Sequence, residues 1–113
     1  MARLSTHVLD TSRGRPVPAL AVDLHACANE ERRHLTSGAT DSDGRLLLAA
    51  DLPAGVYELT FHAGGYFREA GAVLTDPPFL DDIVVRVGLP AGADKYHVPL
   101  LLSPYGYSAY RGS

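Results

Sequence analysis

The chain has 113 residues, which suits one domain spanning 1–113 and leaves no room for two of ordinary size. With 46% apolar residues it can bury a core unaided, and its single cysteine, Cys27, excludes an intrachain disulfide. Ten basic residues against 13 acidic give a formal charge of −3, a balance that gives no hint of a nucleic-acid partner, which would call for a basic stripe.

Taken in chain order, the dominant pattern has period two. Leu4, Thr6 and Val8 share one face of a short first strand. After the turn residues Ser12-Arg13-Gly14-Arg15-Pro16, the run Ala19–Cys27 puts Leu20, Val22, Leu24 and Ala26 on one face and Asp23 and His25 on the other. Cys27 closes this apolar run and is expected to be a buried, inert thiol. Asp41-Ser42-Asp43-Gly44 and Pro53-Ala54-Gly55 carry turn chemistry. Val56–His62 then alternates Tyr57, Leu59 and Phe61 with Glu58, Thr60 and His62. Gly65–Val73 is the one stretch that reads as helix, and its glycines keep it short.

Asp76-Pro77-Pro78 leads into a strand at Ile83–Val87, and Leu89-Pro90-Ala91-Gly92 turns the chain into the last one, Tyr96–Leu102. Short strands with turn signals at this spacing predict an all-β sandwich. Pro99 fits its run badly, because proline donates nothing to a ladder, and a bulge or a locally unpaired edge is the expected resolution. No apolar stretch approaches the roughly 20 residues of a membrane helix. Met1-Ala2-Arg3-Leu4 runs straight into polar residues without a secretory pattern, so a cytoplasmic protein with no membrane partner is expected.

Five histidines could act as proton acceptors near neutral pH. His25 and His62 lie on polar strand faces and His34 in a charged stretch, so all three read as solvated or hydrogen-bonded. His7 and His97 instead lie beside Val8 and Val98 but on the opposite faces, pointing away from the core. A face of that kind suits a binding groove or a subunit interface. Arg45, read alone, decorates an Asp-Gly turn, and Tyr110 to Ser113, read alone, is a frayed end.

Longer motifs change that reading. Leu4-Ser5-Thr6-His7-Val8-Leu9-Asp10-Thr11 with Gly14-Arg15-Pro16 resembles the N-terminal signature of the 5-hydroxyisourate hydrolases. Tyr96-His97-Val98-Pro99-Leu100-Leu101-Leu102-Ser103-Pro104-Tyr105-Gly106-Tyr107-Ser108-Ala109-Tyr110-Arg111-Gly112-Ser113 resembles their C-terminal signature. Thr40-Asp41-Ser42-Asp43-Gly44-Arg45 and Phe61-His62-Ala63-Gly64-Gly65-Tyr66-Phe67 resemble the segments between. Two departures are visible: Ala109 stands where a threonine is usual, and Lys95 where a histidine is common.

The resemblance implies a transthyretin-like eight-stranded β-sandwich with one short helix, assembled as a homotetramer, a dimer of dimers with sites where dimers face each other. It implies hydrolysis of a ring carbonyl–nitrogen bond of the small molecule 5-hydroxyisourate in urate degradation, giving 2-oxo-4-hydroxy-4-carboxy-5-ureidoimidazoline. The catalytic residues it assigns are His7, Arg45 and His97, and the substrate contacts are His7, Arg45, Tyr110, Arg111, Gly112 and Ser113, the last with its terminal carboxylate. With no serine or cysteine nucleophile beside a matched base, a water activated by histidine is expected, without cofactor or metal. Two other readings stand beside it: a transthyretin-type carrier of a hydrophobic ligand, and a metal-binding module, for which the histidines show no short-range ligand spacing.

Overall fold

In the computed structural model, which describes all residues Met1–Ser113, two β-sheets pack face to face with one short helix at their edge. The first sheet runs in the order β2 (Arg15–Pro16), β1 (Ala2–Asp10), β8 (Lys95–Ser103) and β9 (Gly106–Ala109), with β5 (Arg45–Leu52) also pairing β1. The second runs β4 (Glu31–Ala39), β3 (Ala21–Ala28), β6 (Gly55–His62) and β7 (Asp82–Leu89). Because β2 has only two residues, eight strands of four residues or more carry the two sheets, as the transthyretin-like expectation requires.

Period-two patterning builds the core. In β1 the even positions Ala2, Leu4, Thr6, Val8 and Asp10 are buried, while Arg3, Ser5, His7 and Leu9 face outward. Leu4 and Val8 meet Val22, Leu24, Leu59, Phe61, Val98, Leu100 and Leu102 in a single 19-residue apolar cluster between the sheets. The pairing that decides the site is β1 against β8. It is parallel, in unbroken register from Arg3↔Lys95 to Asp10↔Leu102, and joins segments some ninety residues apart.

Local chemistry fixes the connections. Asn29 and Glu30 both have positive φ, 53° and 66°, which makes the β3–β4 hairpin a two-residue turn of the mirror-image kind that suits twisted strands. The helix α1 spans Ala63–Glu69 rather than the expected Gly65–Val73. It stops at Gly71, whose φ of +79° lets Gly71 N–H donate to Arg68 O and Ala72 N–H to Phe67 O, a Schellman close.

Other expectations are corrected. Cys27 is half-buried rather than buried, because it lies near the β3–β4 tip, beyond the core cluster. The strands β4 and β5 lacked a readable alternation. The first is an exposed edge strand full of charge, and the second starts in a continuous Leu46-Leu47-Leu48 run. Pro99 causes no bulge, since β8 keeps register with β1 throughout. Its missing donor falls on the other side, where the register that pairs Leu100 with Ala109 puts Pro99 opposite Tyr110, just beyond the end of β9. The unpaired edge is the resolution adopted.

Candidate active site

The outward face of the first sheet gathers the residues singled out in the sequence. His7 on β1 is directly paired with Arg45 at the start of β5, and Ser5, two residues earlier on the same face, is paired with His97 on β8. The tail closes the arrangement. Having lost its ladder at Pro99, it regains it at Gly112, whose N–H donates to His97 O at 2.7 Å. Gly112 is required for this approach: a Cβ there would come within 2.9 Å of His97 Cδ2 and 3.1 Å of Pro99 Cγ.

The turn Asp41–Gly44 sets Arg45 and anchors His7 at once. Asp41 Oδ1 accepts N–H bonds from Asp43 and Arg45 at 2.8 and 3.0 Å, which hold its carboxyl below the usual carboxylate range. Gly44, at φ +78°, brings its carbonyl to 2.8 Å from Val8 N, too close for a Cβ, which would sit 2.5 Å from Val8 O. So placed, the Asp43 carbonyl accepts a hydrogen bond from His7 Nε2–H at 2.9 Å. His7 Nδ1 is left as the free ring nitrogen.

His97 has a different setting. Its Nδ1 shares a 2.8 Å hydrogen bond with Ser5 Oγ, which leaves Nε2 unengaged. Removal from water, with smaller contributions from the nearby His7 and Arg45, pulls its pKa below the ordinary imidazole value. The ring is therefore neutral at neutral pH and able to take a proton.

Two basins meet at His97, Gly112 and Ser113. The larger, about 520 Å³, is also lined by Arg3, Asp41, Arg45, Lys95, Tyr96 and Arg111, with Arg111 stacked 4.3 Å over the Tyr96 ring. The smaller, about 340 Å³, is lined by His7, Leu9, Pro99, Leu101 and Tyr110 as well. Every residue assigned a role thus borders one basin or both: Arg45 and Arg111 the first, His7 and Tyr110 the second, His97, Gly112 and Ser113 the two together.

His25, His34 and His62 lie on the other sheet and line neither basin. His62 instead bonds Asp23 through Nε2 and Asp82 through Nδ1, both at 2.9 Å, and these bonds raise its pKa. No group of three or more His, Cys, Asp or Glu side chains is placed to hold a metal. Sequence reasoning missed Ser5, Arg3, Asp43 and a contribution from Lys95. The signal for the first two was present, since Arg3, Ser5 and His7 share one face by period two, whereas the Asp43 contact passes through a backbone carbonyl.

Comparison with known proteins adds to this geometry. Residues 4–112 match the family described as HIUase/Transthyretin family. The chain is 51% identical over 115 residues to a protein of Rhizobium meliloti named 5-hydroxyisourate hydrolase 2, covering 98% of this chain and 96% of that one. Among solved structures, 5-hydroxyisourate hydrolase of Klebsiella pneumoniae superposes with a TM-score of 0.84 at 36% identity, covering all of both chains. Transthyretin of Sparus aurata superposes with a TM-score of 0.85 at 27% identity, covering 96% of this chain and 95% of that one.

Proposed function

Since the chain belongs to the HIUase/Transthyretin family, we infer that it is one of the family's hydrolases: it hydrolyses 5-hydroxyisourate in purine degradation. The observation that carries this reading is His97, with its Nε2 unengaged, standing with Arg45 and the folded-back tail in one cleft. A carrier of a hydrophobic ligand is less well served by a basin lined by Arg3, Arg45, Lys95 and Arg111, and identity to the transthyretin above is 27% against 51% to the hydrolase.

In the mechanism we propose, the substrate lies flat in the larger basin, its oxygen-bearing edge held by the forked donors of Arg45. A water sits against His97 Nε2. With Nδ1–H donating to Ser5 Oγ, that nitrogen is free to take the water's proton. The hydroxide adds to the ring carbonyl, and Arg45 stabilises the charge gathering on its oxygen. Collapse of the adduct breaks the carbon–nitrogen bond, the imidazolium of His97 returns the proton to the departing nitrogen, and the carbonyl carbon becomes a carboxylic acid that ionises to solvent. His7, fixed by the Asp43 carbonyl, orients the water through Nδ1. Arg111, Gly112 and Ser113 form the wall that positions the substrate, and Tyr110 reaches it from the adjoining basin.

Residues 1–113 work as one domain in this reading, and four copies form a dimer of dimers. The outward sheet face supports that assembly, because it leaves Leu47 and Tyr110 exposed at the rims of the two open basins. No helix is long and apolar enough to cross a membrane, and with one free cysteine the chain suits the reducing cytoplasm, the compartment we assign it. The test is to follow freshly generated 5-hydroxyisourate spectroscopically with and without the protein. Loss at the spontaneous rate in its presence overturns the function. Light scattering on the active species should give four times the 12.1 kDa chain mass, and an active monomer would remove the shared site.

A further inference from the structure

Four of the ten basic residues, Arg3, Arg45, Lys95 and Arg111, line the larger basin. The hydrolytic mechanism uses Arg45 and the tail but leaves Arg3 and Lys95 without a task. These two are direct partners across the parallel β1–β8 ladder, one step along the outward face from the Ser5–His97 pair. That step is about 7 Å.

What sets these cations apart is their grouping at one opening, since of the ten basic residues only two pair with a carboxylate. Arg32 and Arg86 on the other sheet both pair with Glu58, at 2.6 and 3.0 Å. None of the four cations at the basin has a carboxylate oxygen within 4.0 Å. The one acidic side chain in the lining, Asp41, is engaged with backbone N–H groups. Like charges set directly opposite on neighbouring strands also destabilise a sheet. A chain of net charge −3 therefore gathers four cations at one opening against the Asp41 carboxylate and the chain end at Ser113, an excess of positive charge.

We propose that Arg3 and Lys95 are specificity residues of this site, a paired-cation mouth that captures the substrate in anionic form and passes it to Arg45 and His97. The class it selects is a small, planar, oxygen-rich heterocycle that has lost an acidic proton. The proposal rests on the hydrolase reading. Both side chains are exposed and take no part in the chemical step, so they act on encounter and binding.

The experiment measures kcat and KM for 5-hydroxyisourate at low and high sodium chloride, where screening shortens the reach of charge from about 30 Å at 0.01 M to about 3 Å at 1 M. The double variant Arg3→Gln/Lys95→Gln should lose about tenfold in kcat/KM at low salt, mostly as a rise in KM, and should converge on wild type at high salt. Lys95→Arg with Arg3 intact should keep the wild-type salt dependence. Arg33→Gln, on the edge of the other sheet, should keep it too. Melting curves check that each variant folds. An active wild type whose salt dependence survives in the double variant overturns this inference alone. A wild type that leaves the decay of 5-hydroxyisourate unaccelerated overturns the proposed function and this inference with it.

Discussion

Replacing Gly112 by alanine isolates the role of the tail. Gly112 does not have positive φ, so alanine is allowed by its backbone and only the added methyl matters. That methyl would lie 2.9 Å from His97 Cδ2, 3.1 Å from Pro99 Cγ and 3.2 Å from Pro99 Cδ. Carbon atoms rest at about 3.5–4.0 Å, so the tail or the imidazole must give by about 0.6 Å or more. Pro99 is buried and belongs to an unbroken strand, so the yielding parts are the exposed tail and the half-buried His97 ring. The 2.7 Å bond from Gly112 N–H to His97 O is then strained or lost, a change of about 1 kcal/mol. A displacement approaching 1 Å at a reacting group costs up to about 10²-fold in rate. We expect kcat/KM for 5-hydroxyisourate to fall by about 10- to 100-fold in Gly112→Ala. The melting temperature should stay within a few degrees of wild type, because Gly112 is no part of the core cluster. Wild-type turnover in a folded Gly112→Ala protein would refute both the tail's placement against His97 and its part in catalysis.

His97→Gln and His7→Gln should each lower kcat by about 10²-fold or more, whereas His25→Gln and His34→Gln should stay within severalfold; four indistinguishable variants would sink the assignment. Because burial lowers the pKa of His97, its neutral form persists to lower pH, and the acid limb of the kcat profile should fall below the ordinary imidazole value of about 6.5. A limb above that value would transfer the base role elsewhere. His62, whose pKa is raised by Asp23 and Asp82, contributes stability in full below about pH 6.5 and loses it as pH rises through its folded value. His62→Gln should therefore lower the melting temperature more at about pH 6 than at about pH 9, and an equal gap at both would contradict the ion-pair reading. Adding residues after Ser113 pushes chain into the meeting point of the two basins, so such an extension should weaken turnover without unfolding the protein, and full activity would exclude the tail.

Sequence alone determined the sandwich and its buried faces, because period-two patterning in β1, β3, β6 and β8 is a local property of each strand: Leu4, Val22, Leu59 and Leu100 are buried where alternation put them. It also separated His7 and His97 from the core, for the same reason. Where burial is not one-sided the pattern failed, as in the charged edge strand β4 and the leucine run of β5. Motif resemblance reached further and named Arg45 and the tail, which periodicity left as a turn ornament and a frayed end. What only the tertiary structure decided is how these parts meet. The parallel pairing of β1 with β8 sets Ser5 beside His97 and Arg3 beside Lys95, across some ninety intervening residues that no local pattern spans. The gap in the ladder opposite Pro99, and its recovery at Gly112, bring the chain's end against His97. Such contacts depend on register between distant strands, which burial of both sheets against one core fixes only once the whole chain has folded.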